Sequence, residues 1–142
     1  MPLTIDIADA VVTELAGGAF SQPITPVRRV LPEYELADLK DLRVTVVPAS
    51  VEIEGASRAL SQHDVRIDIG IQKKLGKALD TEVAQLCGLV EEIGEFLKRR
   101  PLAALPYVAW VKSANEPIYA ADHLAEQRAF TSVLSVTYRA LK

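Results

Sequence analysis

The sequence predicts a single α+β domain, in which two main helices cover one face of a mixed or mostly antiparallel sheet of four to five strands. Three observations support this prediction. Residues 80–100 repeat apolar side chains at the spacing of an amphipathic helix. Residues 65–71 and 130–138 each alternate apolar and other side chains at the spacing of a strand with one buried face. Strands that follow one another along the chain favour antiparallel or mixed pairing.

The first half of the chain predicts one helix and three strands. The helix covers residues 4–16, where Thr4 or Asp6 is expected to cap the start and Gly17 to end it in a left-handed conformation. Two strands are predicted at residues 27–31 and 42–47, and the third is the alternating segment 65–71. The polar residues 48–62 are interpreted as the most mobile loop, although Val51-Glu52-Ile53-Glu54 has the alternation of a ribbon.

The second half predicts a long helix followed by two strands. Asp80 is the expected cap of the helix at residues 80–100, and Pro101 ends it. The remaining elements are a strand at 107–112, a turn at 115–117, a short helical turn or loop at 120–127 and the last strand, which includes residues 130–138. The predicted order is therefore α-β-β-β-α-β-β, and residues 1–142 form one domain without an internal repeat.

Composition excludes several classes of protein. One cysteine in 142 residues permits no internal disulfide and no cysteine-rich zinc site. The sequence has neither the basic start of a signal peptide nor an apolar run of about 18 residues, so a soluble cytoplasmic protein without a membrane partner is expected. A net charge of -3 does not suit the neutralisation of phosphates, so no nucleic-acid specificity is expected.

Residues 1–71 hold 6 basic and 11 acidic side chains, whereas residues 72–142 hold 10 and 8, which gives -5 against +2. This difference is either chance or a sign of complementary faces in a head-to-tail assembly.

The residues that most often carry catalysis are few and scattered. His63 and His123 lie next to Asp64 and Asp122, but neither histidine has a second ligand at metal-binding spacing. Cys87 falls on the apolar face of the long helix and is interpreted as a core side chain rather than a nucleophile. We therefore expect no enzymatic activity, no metal and no cofactor. A small enzyme with an unrecognised site is the alternative.

Other charged or aromatic side chains have a structural interpretation as well as a functional one. Glu91, Glu92 and Glu95 lie on the polar face of the long helix, where solvated carboxylates are more common than an acid–base pair or an ion site. Trp110 alternates with smaller residues in a strand, so it is predicted to pack in the core rather than to stack on bases.

Five segments, in this order, resemble the tail terminator (tail completion) proteins of long-tailed bacteriophages and prophages, or the similar minor tail subunits. They are IDIADAVVTEL at 5–15, LKDLRVTVVP at 39–48, DVRIDIGIQKKLG at 64–76, LCGLVEEIGEFL at 86–97 and EPIYAADHLAEQRAFTSVLSVTYR at 116–139. Each segment is core patterning rather than a chemical signature, so the resemblance depends on their succession over nearly the whole chain.

The resemblance implies a structural virion protein, present in the host bacterial cytoplasm during assembly and in the virion tail or neck afterwards. Its subunits would form a ring, with six as the expected number, that caps the major tail tube protein and meets the head–tail connector. A connector or stopper protein of the same neck region is the alternative. Within such a ring, Lys98, Arg99 and Arg100 are the basic interface residues that we favour, and Arg58 is the expected contact of the loop at 50–62. The three consecutive basic residues could instead only stabilise a helix end.

Overall fold

A computed structural model describes residues 2–30 and 40–142 of the chain. Within these residues, three helices and five strands follow one another in the order α1 (Leu3–Ala16), β1 (Pro26–Arg28), β2 (Arg43–Gly55), β3 (Ser61–Lys74), α2 (Leu79–Leu97), β4 (Ala109–Asn115), α3 (Ala121–Gln127) and β5 (Ala129–Leu141). This is the predicted α+β domain, and the short helical turn expected at 120–127 is α3.

The five strands form one mixed sheet in the spatial order β1-β2-β3-β5-β4. The short β1 runs parallel to β2, and the other three pairings are antiparallel. The register places Val46 opposite Ile69, and Ile69 opposite Leu134. Because residues directly opposite each other share a face of the sheet, the apolar positions of the central strands form one continuous surface.

Helices α1 and α2 bury that surface, as the sequence predicts. Their apolar sides join the sheet in a single core, which includes Ile7, Val11, Leu15, Leu86, Val90, Ile93, Leu97, Val65, Ile67, Ile69, Ile71, Phe130, Val136 and Tyr138. Helix α1 contacts mainly β1 and β2, whereas α2 contacts β5. Gly94 of α2 lies over Leu134 of β5, where an added Cβ would make an ordinary van der Waals contact with the leucine Cδ1 at 3.8 Å. The edge strand β4 therefore receives less cover from the helices than the central strands.

The predicted helix caps are wrong. Pro2 and Ala78 occupy the N-cap positions of α1 and α2, and no described side chain makes a capping hydrogen bond at either end. Thr4, Asp6 and Asp80 instead lie within the first turns, where an acidic side chain still interacts favourably with the helix dipole. Gly17 has a φ of -87°, so it ends α1 in a right-handed conformation rather than the left-handed one.

The interpretation of residues 48–62 as a loop is also wrong. Strand β2 continues to Gly55 and pairs with β3 from Ser61 onward, which leaves only residues 56–60 as a turn. The alternation at Val51 to Glu54 is thus part of a real strand. Strand β1 ends earlier than predicted, at Arg28, while Leu31 lies outside the described residues. Strand β4 is shifted to 109–115 from the predicted 107–112.

Among residues 2–30 and 40–142, no helix has both the length and the apolar character needed to cross a membrane.

Candidate functional site

An open groove lies between helix α2 and the edge strand β4. Its volume is about 580 Å³, and its lining residues are Val90, Glu91, Gly94, Glu95, Lys98, Trp110, Lys112, Ser113, Asn115 and Leu134. Its apolar lining consists of Val90 and Gly94 of α2, Leu134 of β5 and Trp110 of β4; Val90 and Leu134 are buried, and Trp110 is half-buried. Exposed acidic and basic side chains of α2 and β4 form its rim. We call it the α2–β4 groove.

Trp110 shows why the groove is apolar inside. Its ring is half-buried and packs against the core, and it lies opposite the buried Tyr138 of β5. The indole N–H donates to Ser113 Oγ at 2.9 Å, which satisfies the polar atom without closing the groove. The prediction that Trp110 belongs to the core is therefore correct only in part, because the same ring also lines an open surface.

The far end of the β2–β3 hairpin forms a second uncovered surface, toward the opposite edge of the sheet. All residues from 49 to 60, called here the β2–β3 tip, are exposed. Val51 and Ile53 point to the same face as the buried Val65, yet they are 40% and 60% exposed. The turn is held by the Leu60 N–H, which donates to Ser57 Oγ at 3.1 Å. The tip is thus an ordered strand end that carries uncovered apolar side chains.

Arg58 lies in the turn of the β2–β3 tip. Its guanidinium is exposed and has no ion pair within the part of the chain that the structure describes. This placement leaves it available to an acidic partner, so its proposed contact role stays a prediction.

The three consecutive basic residues after α2 have three different environments. Lys98 Nζ lies 4.0 Å from Glu95 Oε1 at the rim of the α2–β4 groove. Arg99 adopts a φ of 57° and is exposed, without an ion pair among the described residues. Arg100 instead contacts its own subunit, because its Nε donates to Glu14 Oε1 at 3.0 Å. Lys98 and Arg99 therefore remain candidates for an interface, whereas Arg100 has an intramolecular role that the sequence did not predict.

The three glutamates of α2 also differ from one another. Glu91 and Glu95 are exposed and line the groove rim, as expected for a solvated face. Glu92 accepts hydrogen bonds from the backbone N–H and the hydroxyl of Ser21, and so fastens the segment after α1 to α2. The interpretation of Glu92 as only a solvated side chain is wrong, because both of its carboxylate oxygens accept hydrogen bonds from Ser21. The sequence contains no sign of this contact, since the two residues are 71 positions apart.

The face of the sheet opposite the helices carries paired charges. Arg139 donates to both carboxylate oxygens of Asp64, at 2.8 and 3.1 Å, and Ser135 donates to Asp68 at 2.8 Å. The hydrogen bond from Arg139 lowers the pKa of Asp64, and desolvation only partly opposes it. These pairs link neighbouring strands, so a structural role accounts for them.

The histidines and the cysteine do not form a site. His63 pairs across the sheet with Ala140, whereas His123 contacts Thr131 Oγ1 at 2.8 Å near the other end of β3. Nine residues of β3 separate the two positions, which corresponds to about 30 Å. Burial raises the pKa of the Cys87 thiol, and the nearby Glu91 raises it further. Among the described residues, no group of three or more histidine, cysteine, aspartate or glutamate side chains is placed to hold a metal ion.

Comparison with known proteins finds no protein-family model and no curated protein that matches this sequence.

Proposed function

We propose that this chain is a structural subunit of a bacteriophage tail, of the tail terminator type. Its subunits would form a ring, with six as the expected number, that caps the tail tube and offers a surface to the head–tail connector. The sequence support is the succession of five core-patterned segments described above. Such a protein functions by binding its neighbours through complementary surfaces, so it needs no catalytic side chains.

One structural observation carries the proposal. The described part of the subunit has two unlike uncovered surfaces, the β2–β3 tip on the β2 side of the sheet and the α2–β4 groove on the β4 side. A twofold dimer pairs like surfaces, whereas a ring requires each subunit to present one surface to the neighbour before it and a different one to the neighbour after it. Two unlike surfaces toward opposite edges of one sheet meet that requirement.

Unpaired strand edges at both ends of the sheet also support the proposal. Strand β1 pairs only with residues 44–46 of β2, so the outer edge of β2 from residue 47 to 55 has no strand partner among the described residues. Strand β4 has β5 on one side and no described strand on the other. Unpaired edges of this length are a common site of association between chains, and monomeric proteins usually protect them.

The test is a tube-capping assay with the tail tube protein encoded beside this chain. The purified protein is added in increasing amounts to polymerising tube subunits, and tube lengths are measured by electron microscopy. We expect shorter tubes, each with added density at one end. The control is Val90→Asp, which should not fold and should leave the length distribution unchanged. Unaltered lengths with the folded protein would refute the terminator role, and binding to the connector alone would favour the connector or stopper function.

A further inference from the structure

We propose that the α2–β4 groove of each subunit is occupied by the β2–β3 tip of the next copy of this chain. This inference rests on the proposed ring, and it assigns the two surfaces that meet in it. It shares only Lys98 with the interface of Lys98, Arg99 and Arg100 that the sequence suggests. Lys98 lines the groove, whereas Arg100 contacts Glu14 of its own subunit.

Apolar surface is the first argument. Val51 and Ile53 project from the core-facing side of the tip, and Leu60 of the turn is 43% exposed. In the groove, the half-buried ring of Trp110 lies on the same core-facing side of the sheet, beside Leu134, which is already buried under α2. One contact between the tip of one copy and the groove of another would remove both apolar surfaces from water.

Charge is the second argument, and it selects a copy of this chain as the occupant. Arg58 is the one basic residue of the tip. Glu91 at the groove rim is exposed and has no ion pair among the described residues. Arg58 and Glu91 are therefore available to each other as charges of opposite sign. The tip also carries the exposed Glu52 and Glu54, for which the exposed Lys112 of the groove rim is the counterpart. Twofold pairing of two tips would instead bring one Arg58 near the other.

The position of the two surfaces is the third argument. The tip extends β2 and β3, and the groove lies along β4, so β3 and β5 separate them within one subunit. A subunit cannot place its own tip in its own groove across the sheet. The contact must be made between copies. After one contact, one copy keeps a free groove and the other keeps a free tip, so assembly continues until the ring closes.

Cross-linking between two single-cysteine variants tests the inference. In a Cys87→Ser background, Ala59→Cys marks the tip and Glu95→Cys marks the groove; both positions are exposed, and Glu91 is kept. The two variants are mixed and treated with a short bis-maleimide, and native mass spectrometry of the same mixture reports whether rings are present. The matched control replaces the groove variant with Asp122→Cys, an exposed position on α3.

We expect the tip variant to cross-link to the groove variant and not to the α3 variant or to itself. Rings without tip–groove cross-links would overturn this inference while leaving the proposed ring intact, and would leave the groove for another protein or a small molecule. Cross-links between two Ala59→Cys chains would show a twofold contact and also overturn it. The absence of any assembly at all concentrations would refute the ring and this inference together.

A charge exchange gives a second readout that does not depend on cysteine geometry. Arg58→Glu and Glu91→Arg are each expected to weaken association roughly two- to five-fold per contact, the range for an exposed ion pair. The double variant should recover most of the loss, because it restores the pair with opposite polarity. Additive losses in the double variant would show that the two residues do not meet.

Discussion

Arg100→Ala is expected to destabilise the folded subunit, because this side chain joins the ends of α1 and α2. Its guanidinium donates to Glu14 at 3.0 Å and lies 4.0 Å from the centroid of the Phe96 ring. The Arg100 side chain is 43% exposed, whereas Glu14 is only 13% exposed. An exposed ion pair contributes about 0.2–1 kcal/mol, and a cation–π contact at an exposed site about 0.5–1 kcal/mol. The expected loss of unfolding free energy is therefore roughly 1–2 kcal/mol.

The matched control is Arg99→Ala, one residue earlier in the same segment. Arg99 is exposed and lacks an ion pair within the described chain, so its loss should change stability by no more than about 0.5 kcal/mol. Urea unfolding followed by the fluorescence of Trp110, the single tryptophan, measures both variants. Repeating Arg100→Ala in a Glu14→Gln background should reduce its effect, since the ion pair is already absent.

Equal midpoints for Arg99→Ala and Arg100→Ala would refute this reasoning. It would mean that Arg100 is as free as its neighbour and that all three consecutive basic residues remain available to an interface. The expected result has a practical consequence as well. Reversing all three charges at once would damage the fold, so Lys98→Glu combined with Arg99→Glu is the cleaner variant for an assembly experiment.

Three further predictions concern the core and the sheet. Tyr138→Phe should raise the unfolding free energy by about 1 kcal/mol or leave it unchanged, because the buried hydroxyl has no hydrogen-bond partner among the described residues; a loss above about 1 kcal/mol would contradict this. Val90→Asp should abolish the far-ultraviolet circular dichroism of the native fold, whereas Glu92→Arg should cost only about 1–2 kcal/mol through its lost hydrogen bonds; similar melts would show that the helix faces are misassigned. Because the pKa of Asp64 is lowered in the folded state, its contribution to the free energy of unfolding is complete above about pH 4. That contribution is lost as pH falls through the folded-state pKa. Asp64→Asn should therefore flatten the fall in stability below about pH 4, and an unchanged acid limb would show that the Arg139 pair adds no stability.

The strands with one buried face were predictable because burial imposes a period on the sequence. Residues 65–71 alternate so strictly that a shift by one residue would expose three isoleucines and bury Arg66 and Asp68. Residues 130–138 follow the same period less strictly, since Ser132 lies on the buried face. The outer half of β2 could not be recognised in the same way. Both faces of this part of β2 are exposed from residue 49 onward, so glutamate and serine side chains there remain solvated at no cost in folding free energy. The resulting polar sequence is typical of a loop.

The candidate site was less predictable than the fold, because it depends on distances in space. The groove exists because α2 lies over β5 and not over β4, and no local pattern specifies that placement. Glu14 and Arg100 are 86 residues apart, so the intramolecular role of Arg100 has no local signal either. Two features of the sequence did point to the uncovered surfaces: Trp110 in a short strand, and the alternating Val51 and Ile53 near Arg58. Neither feature predicts how these side chains are arranged in space.

Native mass spectrometry of the wild-type protein over a range of concentrations and salt is the decisive experiment for ring assembly. We expect a single closed ring, with six subunits as the expected number, that dissociates to monomers on dilution. The ring should weaken with added salt, since the rim charges are screened. Twofold dimers should not accumulate, because the two uncovered surfaces differ. A monomer at every concentration, or a stable dimer that does not grow, would show that the protein does not form a ring through unlike surfaces.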